Sequence, residues 1–117
     1  MKSVLQIFLF TTCLLLSSVN AAENSEIKYL LFFISKSDCT FIRNGKEYTA
    51  VKASEHLEYK YNHVKSRIKT ADQFIDKIAS KSSISKKPYE VRCGDTQFKA
   101  EQWLAEALST HRKSIEK

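Results

Sequence analysis

The chain has 117 residues, of which 43% are hydrophobic, and it carries 19 Lys and Arg against 13 Asp and Glu. This length is enough for one small domain with a thin core and no more. The net charge of +6 favours anionic surfaces as partners, although the charges are spread along the whole chain rather than gathered into a basic tail.

The first 21 residues have the pattern of a secretory signal peptide. Lys2 supplies a positive start, residues 3–16 form an almost uninterrupted apolar run, and residues 17–22 are mostly small. We predict cleavage after Ala21, which leaves one secreted globular domain over residues 22–117. The apolar run is shorter than the about 20 residues of a membrane span, and Cys13 has a poor context for lipidation. Neither a transmembrane segment nor a lipid anchor is therefore expected.

Cleavage would remove Cys13 and leave two cysteines, Cys39 and Cys93, in an oxidising compartment. The prediction is a structural disulfide between them, and a free or catalytic thiol is the less favoured alternative. Closing a loop of about 55 residues would stabilise the fold by roughly 4 kcal/mol. The histidines fit no compact zinc spacing with these cysteines, so we expect no metal or other cofactor; they are His56, His63 and His111.

The first predicted element of the domain is a helix that Ser25 caps. Its apolar residues follow the i, i+3, i+4, i+7 spacing of one helical face, namely Ile27, Leu30, Leu31 and Ile34. A run of β-forming residues then extends from Cys39 to Arg43 and meets Asn44-Gly45. Asn-Gly between such runs predicts a hairpin, because both turn residues must tolerate a positive φ.

A long helix is predicted from Thr49 to about Lys69, with two neighbouring faces of different character. One face is apolar and should meet the core: Ala50, Ala53, Leu57, Tyr61, Val64 and Ile68. The other face is the basic stripe: Lys52, His56, Lys60, His63 and Arg67. Glu55 and Glu58 lie away from the basic stripe and cannot readily neutralise it.

The rest of the chain predicts two further helices and a strand. Thr70 and Gln73 form a capping box that begins a short helix, and the serine-rich residues 80–85 end it. Alternating residues over 89–93 predict a half-buried strand, and a final helix has its apolar face over 100–108. The predicted fold is α+β, with about four helices packed on one face of a small antiparallel sheet that includes the Asn-Gly hairpin.

Several segments together resemble a known family. They are Phe-Ile-Arg-Asn-Gly at 41–45, His56-Leu57 with Lys60, residues 67–80 with Ser82-Ser83, and Lys87-Pro88-Tyr89. This combination is similar to the YfeK-like family of small secreted bacterial proteins, whose function is uncharacterised. The resemblance implies a bacterial, periplasmic protein with no assigned activity. The family often has a glycine where this chain has Lys86, which puts a glycine-dependent turn at this position in question.

The basic stripe is the main candidate functional feature. Clustered cations concentrate phosphate and carboxylate groups, so the stripe, together with Arg43 at the hairpin tip, is the candidate site for an anionic envelope component or a partner protein. The leading hypothesis is therefore a non-catalytic binding or interaction domain. The alternative for the stripe is an ordinary solvated helix face, and for Arg43 it is a turn with a flanking surface charge.

Other functions have weaker support in the sequence. A small hydrolase would use Ser82 or Ser83 with His56, and it needs those hydroxyls within hydrogen-bond reach of the imidazole. An inhibitor of a secreted enzyme would need an exposed loop with an acidic or aromatic plug, and none is clear. The GxSxG and HExxH motifs of enzymes are absent from the sequence, and export makes nucleic acid an unexpected partner. No pattern in the chain indicates its oligomeric state.

Overall fold

The structure is a computed structural model, and it describes residues 25–116. The predicted signal peptide over residues 1–21 lies outside the described residues, with Cys13 inside it. The described part contains four α-helices: α1 over residues 25–36, α2 Ala50–His63, α3 Ala71–Phe74, which continues as a π-helical turn Ile75–Ala79, and α4 Ala100–Ile115. Its four strands are β1 Thr40–Arg43, β2 Lys46–Tyr48, β3 Glu90–Cys93 and β4 Thr96–Lys99. The fold is α+β, as predicted.

The four strands form one antiparallel sheet in the order β2-β1-β3-β4. Phe41 lies opposite Tyr48 on one side and Val91 on the other, and Val91 lies opposite Phe98. Because side chains alternate along a strand, these residues share one face of the sheet. The ring of Phe41 meets Trp103 of α4 on that face, with the centroids 5.5 Å apart, so the helices cover it.

The two central strands, β1 and β3, are held at one end by a disulfide. Cys39, directly before β1, and Cys93, at the end of β3, form this bond. At the other end of β1, Asn44 and Gly45 connect it to β2 with φ angles of 52° and 77°. Positive φ at both positions is the backbone of a two-residue type I′ turn.

The hydrophobic core lies between this sheet and the helices. Its largest fully buried side chains come from α1, α3, α4 and β3: Ile27, Leu30, Ile34, Phe74, Leu104, Leu108 and Val91. Each such side chain stabilises the fold by about 1.5 to 3 kcal/mol through burial. The hydroxyl of Ser54 on α2 donates to the carbonyl of Leu31 at 2.9 Å, which ties α2 to α1.

A cluster of paired charges joins α1, α3 and α4 on the surface. Arg112 of α4 donates through Nε and Nη2 to the two carboxylate oxygens of Glu26, at 2.8 and 2.9 Å. Its Nη2 also donates to Asp72 of α3 at 3.0 Å. We call these three residues the Arg112 cluster. A planar guanidinium with two carboxylate partners thus connects three helices at the surface.

Two elements differ from those predicted. The helix α2 begins after the Thr49 cap but ends at His63 rather than near Lys69, because Val64 leaves helical geometry and a 3₁₀ turn, Lys65–Arg67, follows. This turn brings Ile68 into the core with 5% exposure. Arg67 is consequently not on the same helix as the rest of the basic stripe. The strand β4 is not predicted from the sequence, and all four of its residues are exposed.

Candidate anion-binding site

Arg43 and two residues of the basic stripe come together in one groove. Arg43 ends β1, His56 and Lys60 lie one turn apart on α2, and all three line the groove with Tyr89, which directly precedes β3. The groove encloses about 420 Å³, and residues 82–84, which follow the π-helical turn, also line it. We call it the Arg43 groove.

Arg43 is oriented by a tyrosine across the hairpin. Phe41 pairs with Tyr48 and Arg43 pairs with Lys46, so Arg43 and Tyr48 are diagonal neighbours on one face of the hairpin. Nη2 of Arg43 donates to the Tyr48 hydroxyl at 2.9 Å, and the guanidinium carbon lies 4.5 Å from the centre of that ring. A guanidinium has five N–H donors, and this contact uses one of them.

Lys60 is held by three neutral oxygen atoms. Its Nζ donates to the carbonyls of Ile78 at 2.9 Å and Lys81 at 3.3 Å, and to the hydroxyl of Tyr89 at 3.1 Å. An ammonium has three donors, so these contacts occupy all of them. Lys60 therefore contributes its charge to the groove and positions Tyr89, while its own hydrogen bonds remain within the protein.

Tyr89 and His56 form the polar floor of the groove. Tyr89 is 6% exposed, and its hydroxyl oxygen lies 3.5 Å from Nε2 of His56. Because Lys60 donates to that oxygen, the hydroxyl proton of Tyr89 is available to His56 or to a bound anion. The two residues thus offer one hydrogen-bond donor and one titratable ring beside Arg43.

The charges of the groove act on one another. Burial lowers the pKa of His56, and the positive charges of Arg43 and Lys60 lower it further. Burial and Arg43 also lower the pKa of Lys60. Burial raises the pKa of Tyr89, against the opposing effect of Arg43, so its hydroxyl keeps its proton. Among the described residues that line the groove, none is acidic.

The connection between the π-helical turn and β3 is closed by local hydrogen bonds. The amide of Ser82 donates to the carbonyl of Lys87, and the amide of Lys86 donates to the carbonyl of Ser82. Ser85 donates through its hydroxyl to the Asn44 side chain, which links the connection to the hairpin turn. Lys86 has a φ of 64°, so a left-handed turn that would favour glycine forms here with a lysine.

The remaining members of the basic stripe lie outside the Arg43 groove. Lys52, one turn before His56, lines an adjoining apolar cavity. His63 and Arg67 are exposed and line a second groove of about 390 Å³, to which Lys77 also belongs. Lys60 borders both grooves. The stripe predicted as one continuous face is thus distributed over two grooves and the adjoining cavity.

The serines proposed for a hydrolase are close to the groove but do not pair with its histidine. Ser82 is 7% exposed, and its hydroxyl accepts from the amide of Ser85 at 3.3 Å. Within residues 25–116, no hydrogen bond joins His56 to Ser82 or Ser83. The hydroxyl that contacts Nε2 of His56 is that of Tyr89, at 3.5 Å.

Sequence reasoning missed Tyr48 and Tyr89 as parts of the site. Tyr89 is predicted only as part of a strand and of the family motif, and Tyr48 only as a residue that follows the Asn-Gly turn, yet a buried tyrosine hydroxyl needs a hydrogen-bond partner. That requirement was the available signal, because it predicts a polar or charged residue at each hydroxyl. The partners prove to be Arg43 for Tyr48 and Lys60 for Tyr89.

The described part of the chain has neither a metal-binding cluster nor a membrane-spanning helix. Residues 25–116 contain no cluster of three or more His, Cys, Asp or Glu side chains arranged to hold a metal ion. None of the helices in that range combines the length and the apolar character needed to cross a membrane.

The fold and the groove define a small, disulfide-linked α+β domain with a cationic cleft between a hairpin and a helix. A family model described as a family of unknown function, DUF5329, matches residues 21–112, and the chain belongs to this family. It is also similar to a protein of Salmonella typhimurium strain LT2 named Uncharacterized protein YfeK, with 46% identity over 74 residues. That match spans 62% of this chain and 62% of the relative. The resemblance to a YfeK-like family is therefore confirmed. No solved structure matches the chain.

Proposed function

We propose that this protein is a non-catalytic binding domain that recognises a carboxylate or phosphate group of an envelope component in the Arg43 groove. The observation that carries the proposal is the pair of partly buried cations, Arg43 and Lys60, whose hydrogen-bond partners are neutral oxygens. Partly buried charges are normally paired with an opposite charge. An anionic ligand would supply that charge.

The groove offers hydrogen-bond donors as well as positive charge to an anion. Arg43 retains N–H donors in a planar fork, which suits two oxygens of a carboxylate or phosphate. The hydroxyl of Tyr89 can donate to the same ligand, and His56 becomes a further donor when it is protonated. A concave site of about 420 Å³ accommodates a small group better than the flat surface of a partner protein.

A periplasmic location is part of this proposal. It is supported by the signal-like pattern of residues 1–21 and by the Cys39–Cys93 disulfide, since disulfides persist in oxidising compartments. The alternative function, a hydrolase using Ser82 or Ser83 with His56, has less support. A serine nucleophile must lie within hydrogen-bond reach of its base, and the hydroxyl in contact with Nε2 of His56 is that of Tyr89.

The test is a titration of the purified protein with inorganic phosphate and with acetate, followed by NMR chemical shifts. We expect both anions to shift His56 and Tyr89 and to bind more tightly as salt falls. Binding of acetate, which keeps its charge in this range, should also strengthen as pH falls below 6.5, because the lowered pKa of His56 places its protonation there.

Three variants that each remove one positive charge locate the binding site. Arg43→Gln should weaken phosphate binding about tenfold or more, whereas Lys113→Gln, at the far end of α4, should leave it unchanged. An equal loss in both variants would show that only overall charge matters. A loss in Arg67→Gln as large as in Arg43→Gln would place binding on the whole stripe and would overturn the assignment to the Arg43 groove. Absence of binding in the wild-type protein would overturn the function itself.

A further inference from the structure

An apolar cavity adjoins the Arg43 groove. It encloses about 180 Å³ between β1, α2 and α4, and its inner wall consists of Phe41, Ala53, Leu57, Ala100 and Leu104. Four residues line both spaces: Arg43, Tyr48, His56 and Tyr89. The cationic groove and the apolar cavity therefore share these four residues as a common rim.

The cavity is a recess that is partly open to solvent, and its inner wall is apolar. A cavity of about 150 Å³ lined by aliphatic and aromatic side chains stays dry and accepts benzene. The inner wall here is also apolar, while Arg43, Lys52 and His56 line the more polar side of the space. The space therefore matches one six-membered ring or a short branched chain.

Resting on the proposed function, we infer that the ligand is a small amphipathic anion, an aromatic or branched-chain carboxylate whose apolar part fills this cavity. Its carboxylate would lie at the shared rim, within reach of Arg43 and Tyr89. A simple anion without an apolar part would leave the cavity empty, and a long acyl chain would exceed its volume. Apolar walls with a few converging polar groups at one end are typical of sites for small molecules.

The test compares three probes by NMR titration of the purified protein: phenylacetate, acetate and phenylacetamide. Phenylacetate should bind about tenfold or more tightly than acetate, because it also buries a ring. Phenylacetamide has the same ring without the charge and should bind more weakly than phenylacetate. Octanoate should have no advantage over phenylacetate, since its chain does not fit.

A substitution that fills the cavity tests the contribution of the apolar part of the ligand separately from that of its carboxylate. Ala53 lines the cavity but not the groove, so Ala53→Leu should remove the advantage of phenylacetate and leave the affinity for acetate unchanged. Ala107→Leu is the matched control, because Ala107 on α4 is buried to a similar degree, 8% against 9% exposed, and does not line the cavity. Ala53→Val is the milder variant if Ala53→Leu does not fold.

The outcomes distinguish this inference from the function on which it rests. Equal binding of phenylacetate and acetate to the wild-type protein, or an undiminished advantage in a folded Ala53 variant, would overturn the amphipathic ligand and leave anion binding intact. Binding of neither anion, or binding that Arg43→Gln does not weaken, would overturn the proposed function as well.

Discussion

Arg112 and Arg43 are two arginines of one small domain in opposite surroundings. Arg112 donates to both oxygens of Glu26 and to Asp72, so its charge is matched by carboxylates of two other helices. Arg43 donates to a tyrosine hydroxyl and shares its groove with Lys60 and His56. The first site is complete within the chain, whereas the second has an excess of positive charge.

The pKa shifts favour the charged forms of Glu26 and Arg112 in one region and the neutral forms of His56 and Lys60 in the other. In the Arg112 cluster, the hydrogen bonds from Arg112 lower the pKa of Glu26, and Glu26 in turn raises the pKa of Arg112. Each group favours the charged state of its partner. In the Arg43 groove, burial and like charges lower the pKa of both His56 and Lys60. The paired charges of the Arg112 cluster stabilise the fold. In the Arg43 groove the charges repel one another, and an anionic ligand would offset that repulsion.

The largest effect should come from the disulfide, which holds the strand that carries Arg43. Replacing both cysteines in Cys39→Ser/Cys93→Ser should lower the free energy of unfolding by about 2 to 5 kcal/mol, mainly through the unfolded chain. Urea denaturation measures this loss. The folded fraction of the variant should still bind phosphate, because neither cysteine lines the groove. Two reactive thiols in the native wild-type protein would contradict the prediction.

A smaller loss should follow from Arg112→Gln, which leaves Glu26 without its cation. We expect about 1 kcal/mol, a modest value because the Arg112 side chain is 41% exposed. The lowered pKa of Glu26 stabilises the fold above about pH 4.5, and this stability is lost as pH falls through the folded-state pKa. Thermal melts between pH 3 and 7, roughly the range of carboxyl titration, should show less acid sensitivity in the variant. Equal sensitivity would argue against the cluster, and phosphate binding should not change.

Lys86→Gly should stabilise the protein slightly, by about 0.5 kcal/mol. Lys86 has a left-handed φ of 64°, and glycine adopts that conformation without the steric cost of a Cβ, although it also loses more entropy on folding. Lys87→Gly is the matched control, because it removes the same side chain at a position without a positive φ, and it should destabilise. Chemical denaturation of the pair tests this difference, and a stabilisation of both would contradict it.

The smallest change in stability, within about 0.5 kcal/mol, should accompany Arg43→Gln. Removing this charge should raise the pKa of His56 toward 6.5, although burial keeps it below that value. Because the folded pKa of His56 lies below the unfolded one, the wild-type protein should lose stability as pH falls from 6.5, and the variant should lose less. A histidine NMR titration measures the shift. Arg67→Gln is the control that should leave His56 unchanged.

The elements of the fold could largely be predicted because periodicity and caps act locally. The face of α1 at Ile27, Leu30 and Ile34 is buried as expected, and Thr49 caps α2. The end of α2 at His63 could not be predicted, since no glycine or proline marks it and the turn depends on burying Ile68. Nor could β4, an exposed edge strand without alternating burial.

The site was predictable as a set of cations but not as a groove. Arg43, His56 and Lys60 could be selected from charge and spacing on single elements. Their convergence depends on how the hairpin packs against α2 and on where Tyr89 enters the sheet, which are tertiary relations.

The capping box was also predicted only in part. Thr70 accepts from the amide of Gln73 as expected, but Gln73 reaches back to the amide of Lys69.

The three hydrogen bonds of Lys60 have a consequence for how the site opens. They join α2 to positions 18, 21 and 29 residues later in the chain. A local opening of the segment from Ile78 to Tyr89 must therefore break all three contacts, so this segment and α2 form one cooperative unit. In hydrogen exchange, the amides of Ser82 and Tyr89 should open together and not fray one by one. The groove is thus either fully formed, with Lys60 bound to all three oxygens, or fully open, with all three contacts broken.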